Sequence, residues 1–298
     1  MRIALIGYGE VGRILAEDLA PQGHSVAAYD IKLGGEGGNF LREHAAKHGI
    51  ALAQSHASAV QDADLVVSAV TASQAVPVAE AIAPGLAQGA CVLDFNSASP
   101  GAKIRAGAIV NAAGGRYVEG AVMTSIPPYR IKVPLLLGGP DAAALQPLLE
   151  GLGFAAKVAS DQLGVASATK MCRSVMIKGL EAMVIESFTT ARHYGVEDAV
   201  IASLQETFPG IDWEKQGAYF FQRVIEHGRR RSEEVREVAV TVREVGLVPY
   251  SAAGTAERQA GMADWADAGL FGARGSKDFA RSTDWRVEAD RILSKVKS

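Results

Sequence analysis

The sequence predicts a protein in two parts, a parallel α/β domain over residues 1–160 and an all-helical domain over residues 161–298. Three observations carry this expectation. In the first part short β-branched runs alternate with helical patterns, as successive βαβ units require. Beyond Ser160 strand signals vanish. Asp161 to His193 then holds no proline and only two glycines. Such a stretch makes one helix of roughly 45–50 Å at 1.5 Å per residue, long enough to run from one domain into another. A length of 298 residues is also near the size at which a single core stops growing.

Strands are expected at Arg2–Ile6, Ser25–Tyr29, Leu65–Val70 and Cys91–Asp94, with further ones near Arg116–Gly120, Val133–Leu137 and Ala155–Val158. Several are apolar at consecutive positions, as where helices cover both faces of a sheet. Glu10–Leu19, Phe40–His48, Ala75–Ala83 and Ala102–Ala113 read as the intervening helices. Ser160 or Asp161 is placed to cap the long helix, and Gly195 to end it. The remainder reads as helices over Glu197–Leu204, Trp213–Val245, Ser251–Ala268 and Trp285–Lys297. This half shows no obvious second layer of its own, which points to a partner supplying burial.

Composition excludes several classes. A hydrophobic fraction of 48% with 21% charged residues is that of a globular chain. The formal net charge of −3 gives no field that favours nucleic acid or an anionic membrane. Cys91 and Cys172 form no metal-ligand spacing and read as small buried residues of a reducing compartment. The apolar run Met1–Ile6 is too short for a signal-peptide core, and no stretch approaches the roughly 20 apolar residues that span a bilayer. A cytoplasmic protein is expected, with no resident metal.

The N-terminus carries the most specific pattern. Gly7-Tyr8-Gly9-Glu10-Val11-Gly12 follows an expected strand and opens an expected helix. Gly7 permits a tight turn, Gly9 lets backbone approach a pyrophosphate, and Gly12 lets the helix pack on the strand. Free N–H groups and the helix dipole then favour phosphate. Asp30 ends the second strand, 18 residues after Gly12, where a carboxylate accepts from ribose hydroxyls. This is a Rossmann fingerprint for a nicotinamide dinucleotide, with Ile31 and Lys32 beside Asp30 and with Val70 and Thr71 lining the cleft at a strand end. Asp30 favours NAD, because a 2′-phosphate would face a carboxylate. Lys32 and the Gly34-Gly35-Glu36-Gly37-Gly38 loop keep NADP open.

Four segments in order resemble the β-hydroxyacid dehydrogenase family, which includes 3-hydroxyisobutyrate and 6-phosphogluconate dehydrogenases. The fingerprint is the first. Asp94-Phe95-Asn96-Ser97-Ala98-Ser99-Pro100 is similar to the family's D-x-S-T-x-x-P substrate loop. Val118 to Ser125 stands in the place of D-A-P-V-S-G-G, and Gly164 to Ser174 in the place of G-x-G-x-x-x-K-x-x-x-N. The resemblance covers roughly residues 1–195 and, loosely, the helical tail. It is closest to a phosphogluconate-dehydrogenase-like branch, whose helical C-terminal domain it implies here.

The resemblance implies hydride transfer between a nicotinamide and a small hydroxy acid in a homodimer. It places the acid/base lysine at Lys170, and partial burial lowers a lysine pKa toward what that role needs. Lys170, Ser174, Lys178 and Glu181 are also spaced to share one helix face, read either as a polar site stripe or as a solvated edge with a Lys178–Glu181 pair. Asn96 and Ser97 would hold the substrate carboxylate or hydroxyl, with Asn96 also near the nicotinamide ribose. They equally suit a loop cap before Pro100. Thr124, Ser125 and Ser174 would complete the substrate site.

The pattern also departs from the family. Ser174 replaces an asparagine and has a shorter reach. Met123-Thr124-Ser125 replaces Ser-Gly-Gly, and Glu233-Glu234 stands where the family often has K-D. His227-Gly228-Arg229-Arg230-Arg231 reads as an exposed basic helix balanced by Glu233 and Glu234, or as a substrate-phosphate contact. Trp213, Tyr219, Phe220 and Phe221 read as core or dimer-contact aromatics. An imine reductase of the same fold and a non-catalytic NAD(P)-binding redox sensor are the alternative functions. Lys170 counts against the first, and turnover would exclude the second.

Overall fold

The first half folds as one sheet with helices on its faces, and the described residues of the computed structural model are 1–35, 38–277, 279, 280 and 282–297. Glu36 and Gly37, the middle of the glycine-rich loop, lie outside the described residues. The first of two compact units is Met1–Cys172. It contains β1 (Arg2–Ile6), α1 (Glu10–Leu19), β2 (Ser25–Tyr29), α2 (Gly38–His48), β3 (Ala51–Leu52), α3 (His56–Val60) and β4 (Leu65–Ser68). There follow α4 (Ala75–Ile82), β5 (Cys91–Asp94), α5 (Pro100–Ala112), β6 (Arg116–Val122), β7 (Leu135–Gly138), α6 (Ala142–Gly151), β8 (Ala156–Ser160) and the start of α7 (Val165–Tyr194). The short β3, α3 and α6 have no counterpart in the sequence reading. Pro147 sits inside α6 and argues against a helix until packing is known.

The strand order is β3-β2-β1-β4-β5-β6-β7-β8. All pairs are parallel except β6–β7, which is antiparallel. The expected βαβ units are parallel, and the sheet adds one antiparallel pairing at β6–β7. The connection 123–134 carries Pro127 and Pro128 and only a short 3-10 turn, Arg130–Lys132, so it lacks the helix of a parallel crossover. In β1, β4 and β5 four consecutive residues are buried, because helices cover both faces of these central strands.

The start of α7 is held differently from expectation. Ser160 Oγ accepts from Gln162 N and does not cap the helix. Instead the buried Glu119 of β6 reaches it: Oε1 accepts from Gly164 N (2.8 Å) and Ala166 N (3.0 Å), and Oε2 accepts from Ser167 Oγ at 2.7 Å. A carboxylate at a helix N-terminus satisfies orphan N–H groups and complements the dipole. At the other end Gly195 (φ +68°) takes the left-handed conformation that glycine tolerates.

The second unit, Arg173–Ser298, holds the rest of α7, then α8 (Glu197–Thr207), α9 (Trp213–Glu244), α10 (Tyr250–Asp267) and α11 (Trp285–Val296). It does have a core of its own, built from Ile185, Phe188, Phe221, Val224, Met262 and Trp285. The Phe188 and Trp285 rings lie 4.8 Å apart. Trp213, Phe220 and Phe221 belong to that core, whereas Tyr219 is exposed. Cys91 is buried as expected, and its thiol pKa is raised by burial. Cys172 is exposed, against expectation, because the apolar pattern around it covers only part of the helix surface. Among the described residues no helix is long and apolar enough to cross a membrane.

Replacing Glu119 with alanine strands the buried N–H groups of Gly164 and Ala166 and removes one of the two acceptors of the Ser167 hydroxyl. Glu119→Ala is expected to lower stability by about 2–4 kcal/mol, read as a reduced urea midpoint for the first unit. A loss below about 0.5 kcal/mol would remove Glu119 from this role.

Candidate active site

The site starts at the turn between β1 and α1. Gly7 sits at φ +91°, and a Cβ there would lie 2.4 Å from the Ala69 carbonyl oxygen. A Cβ on Gly12 would lie 2.0 Å from the Gly7 carbonyl oxygen. Both positions therefore admit only glycine, one for the turn and one for close helix packing. At Gly9 a Cβ would meet nothing within 4 Å. That open face lies at the N-cap of α1, beside N–H groups with no intrahelical acceptor. It forms a cradle that fits a pyrophosphate. Glu10 and Val11 open the helix behind it.

Asp30 is fixed by the same turn. Its Oδ2 accepts from Tyr8 N at 2.8 Å and its Oδ1 from Lys32 N at 2.9 Å. A carboxylate has about four acceptor sites, so capacity remains for ribose hydroxyls. Ile31 and Lys32 are exposed beside it. The Tyr8 side chain points away into the core, where its hydroxyl meets His44 Nδ1 at 2.9 Å. Burial pushes this phenol up to about 12.

The sheet order sets β1 next to β4 and β4 next to β5, so their carboxyl ends adjoin at the switch point where ligands bind. Asn96 laces these ends together. Its Oδ1 accepts from Val70 N (2.7 Å), its Nδ2 donates to Ser68 Oγ (3.0 Å), and its own N–H reaches Asp94 Oδ1 (2.7 Å). Asn96 is buried, so its side chain serves first as the bracket that shapes the loop. Ser97 is half-buried next to it, and Lys170 Nζ donates to Ser97 Oγ at 2.5 Å. The two residues are 73 positions apart in the chain.

Beneath this loop lies a buried charge pair that sequence reading missed. Lys103 Nζ is 3.1 Å from Asp94 Oδ1 and donates to the Asp94 carbonyl at 2.8 Å. Tyr117 Oη donates to Asp94 Oδ2 at 2.6 Å. Burial, and then the Asp94 charge, drives the Tyr117 pKa upward. The available signal was positional: Lys103 stands on the face of α5 shared by Ala106, Gly107 and Val110, all buried.

Thr71 and Thr124 are exposed and Ser125 is half-buried. Ser174 is buried and belongs to the second unit. The Lys178–Glu181 pair does not form. Lys178 Nζ meets Glu234 Oε2 at 2.6 Å, and Glu181 takes Arg231 instead. Burial lowers the pKa of Lys178, with Glu234 opposing. Arg229 is exposed and pairs with Asp264 and Asp267, and Arg230 pairs with Glu234. Only Arg231 is buried, so the three arginines do not form one exposed cluster.

Residues 2–158 match the family model described as the NAD binding domain of 6-phosphogluconate dehydrogenase. The chain belongs to the β-hydroxyacid dehydrogenase family. Its cofactor is NAD(P). Residues 191–262 of this family member also match a domain of unknown function, DUF1932. A conserved hypothetical protein from Sinorhizobium meliloti 1021 is similar at 36% identity, covering 98% of this chain and 96% of its own, with a TM-score of 0.76. Conserved protein MTH1747, described as structurally similar to 3-hydroxyacid dehydrogenases, is 26% identical over 89% of this chain and 99% of its own, with a TM-score of 0.69. The NAD-dependent L-serine dehydrogenase of Pseudomonas aeruginosa is 25% identical over 71% of each chain.

Two outcomes follow from this geometry. Lys103→Met leaves the Asp94 carboxylate buried without its cation, and a loss of about 3–5 kcal/mol is expected in chemical denaturation. A near-neutral result would show that Tyr117 and Asn96 suffice for Asp94. Burial also lowers the His56 pKa from 6.5, with the Asp30 charge opposing. The folded state thus favours neutral imidazole, a contribution present above 6.5 and lost as pH falls through the depressed value. Melting temperature against pH should therefore decline less on the acid side in His56→Gln; parallel curves for both proteins contradict this.

Proposed function

We propose that this chain interconverts a small β-hydroxy acid and its carbonyl form by NAD(P)-dependent hydride transfer, with Lys170 as acid and base. The observation that carries the reading is the Lys170–Ser97 contact at 2.5 Å. It ends a continuous path: Gly7 packs on Ala69, Val70 is bonded to Asn96, and Ser97 follows. The proton-handling amine is thus tied to the turn that cradles the cofactor.

The nicotinamide, when bound, supplies the two-electron acceptor or donor. The protein must manage the remaining proton. In oxidation Lys170 takes the hydroxyl proton, and in reduction it returns it. Ser97 holds the lysine terminus and offers its hydroxyl to the same substrate oxygen, while Asn96 keeps the loop in register. Thr124 and Ser125 are assigned to the rest of the substrate. A short β-hydroxy acid is favoured, in keeping with the L-serine dehydrogenase relative. Asp30, anchored by Tyr8 N, favours NAD over NADP through repulsion of a 2′-phosphate. A homodimer is the proposed assembly, supported by exposed Met183, Leu247, Val248 and Tyr250 on the second unit.

The test is cofactor-dependent turnover across a panel of β-hydroxy acids, aldonates and semialdehydes with NAD and NADP. Lys170→Ala should lower turnover at least ~100-fold with cofactor affinity unchanged. Equal turnover in both proteins would reject Lys170 as the proton carrier.

A further inference from the structure

On the first unit, α1 and α2 bring Glu17, His44 and His48 together, with one ligand atom of each within 4.8 Å of the other two. His44 and His48 stand one helical turn apart on a single face of α2. Their ring centroids are 4.5 Å apart. Glu17 projects from α1, and its Oε1 lies 2.9 Å from His44 Nε2. Two imidazoles and a carboxylate form a donor set suited to zinc and its neighbours among the transition metals.

The surroundings distinguish this cluster from a plain ion pair. A metal-bound histidine donates through its other ring nitrogen, and a metal-bound carboxylate is held through its second oxygen. Both outer partners stand in place. His44 Nδ1 faces the buried Tyr8 hydroxyl at 2.9 Å. Glu17 Oε2 accepts from Arg130 Nη2 at 2.7 Å, and Asp18 Oδ1 takes Arg130 Nε at 2.9 Å. Asp18 offsets the Arg130 charge, which leaves Glu17 as the net negative group facing the histidines.

We propose that Glu17, His44 and His48 bind one divalent transition-metal ion, with water in the fourth position. Zinc bonds of about 2.0–2.2 Å place tetrahedral ligand atoms roughly 3.3 Å apart. Binding requires the Glu17 oxygen to move off the His44 Nε2 hydrogen bond of 2.9 Å and the His48 nitrogen to close from within 4.8 Å to that spacing. Such an ion clamps α1 to α2 and, through Tyr8, braces the glycine turn. The site does not depend on the reaction assigned above.

The test uses full-length, untagged protein stripped with chelator, dialysed against micromolar zinc and assayed for bound metal. Wild type is compared with His48→Gln, His44→Gln/His48→Gln and Tyr8→Phe, with circular dichroism confirming each fold. One zinc per chain is expected, with a melting temperature that rises on zinc addition. Affinity should fall at least ~10-fold in His48→Gln and about 10-fold in Tyr8→Phe, which removes only the outer partner. The double variant should bind none. A wild type that takes up no zinc, or a double variant that binds as wild type does, overturns the proposal.

Discussion

The Asp94 carboxylate is the interaction on which the site depends. It sits at the end of a buried central strand and receives the Lys103 ammonium, the Tyr117 hydroxyl and the Asn96 N–H. A buried charge persists only when paired and hydrogen-bonded, and these three donors meet that condition. Their reward is geometric rather than energetic, since an apolar cluster would stabilise the fold as well or better. With Asp94 fixed, Asn96 has one orientation in which to bond both Val70 and Ser68. Ser97 is then delivered to Lys170.

A second carboxylate, Glu119 on the neighbouring strand, places the lysine. It gathers the first donors of α7, so the helix begins at a fixed point against the sheet. Lys170 lies five residues after the first residue of that helix, Val165. Both halves of the Lys170–Ser97 contact are thereby set by buried acids on adjacent strands. The sheet acts as a common ruler for the loop and for the helix.

The second unit uses buried charge in another way. Glu181 and Arg231 pair in its interior, joined by Gln259, while Lys178 is shared with Glu234. Among the described residues the buried Glu181 Oε1, Arg231 Nε and Gln259 Oε1 have no hydrogen-bond partner, although Arg223 Nε lies 3.6 Å from Glu181 Oε1. Leaving buried donors and acceptors of this kind unpaired costs stability. It also fixes the rotation of α7, α9 and α10 relative to one another, because only one register pairs the charges.

The N-terminal reading was legible because its physics is local. A turn needing φ > 0, a helix packed on that turn and an acid at the next strand end each demand a residue type at a set spacing. Gly7, Gly12 and Asp30 carry that signal unaided. Periodicity likewise located the central strands and the long helices, where burial on both faces or on one stripe imposes the pattern. The Lys170–Ser97 contact was not legible in any local window, since its two residues stand 73 positions apart. Tertiary structure alone decided the reversal of β7, which follows from a missing crossover helix, and the partners of Lys178 and Glu181, which come from a separate helix. It also decided the burial of Lys103, Asp94 and Glu119. Nothing in a local window tells a solvated charge from one whose counter-charge arrives from a distant strand.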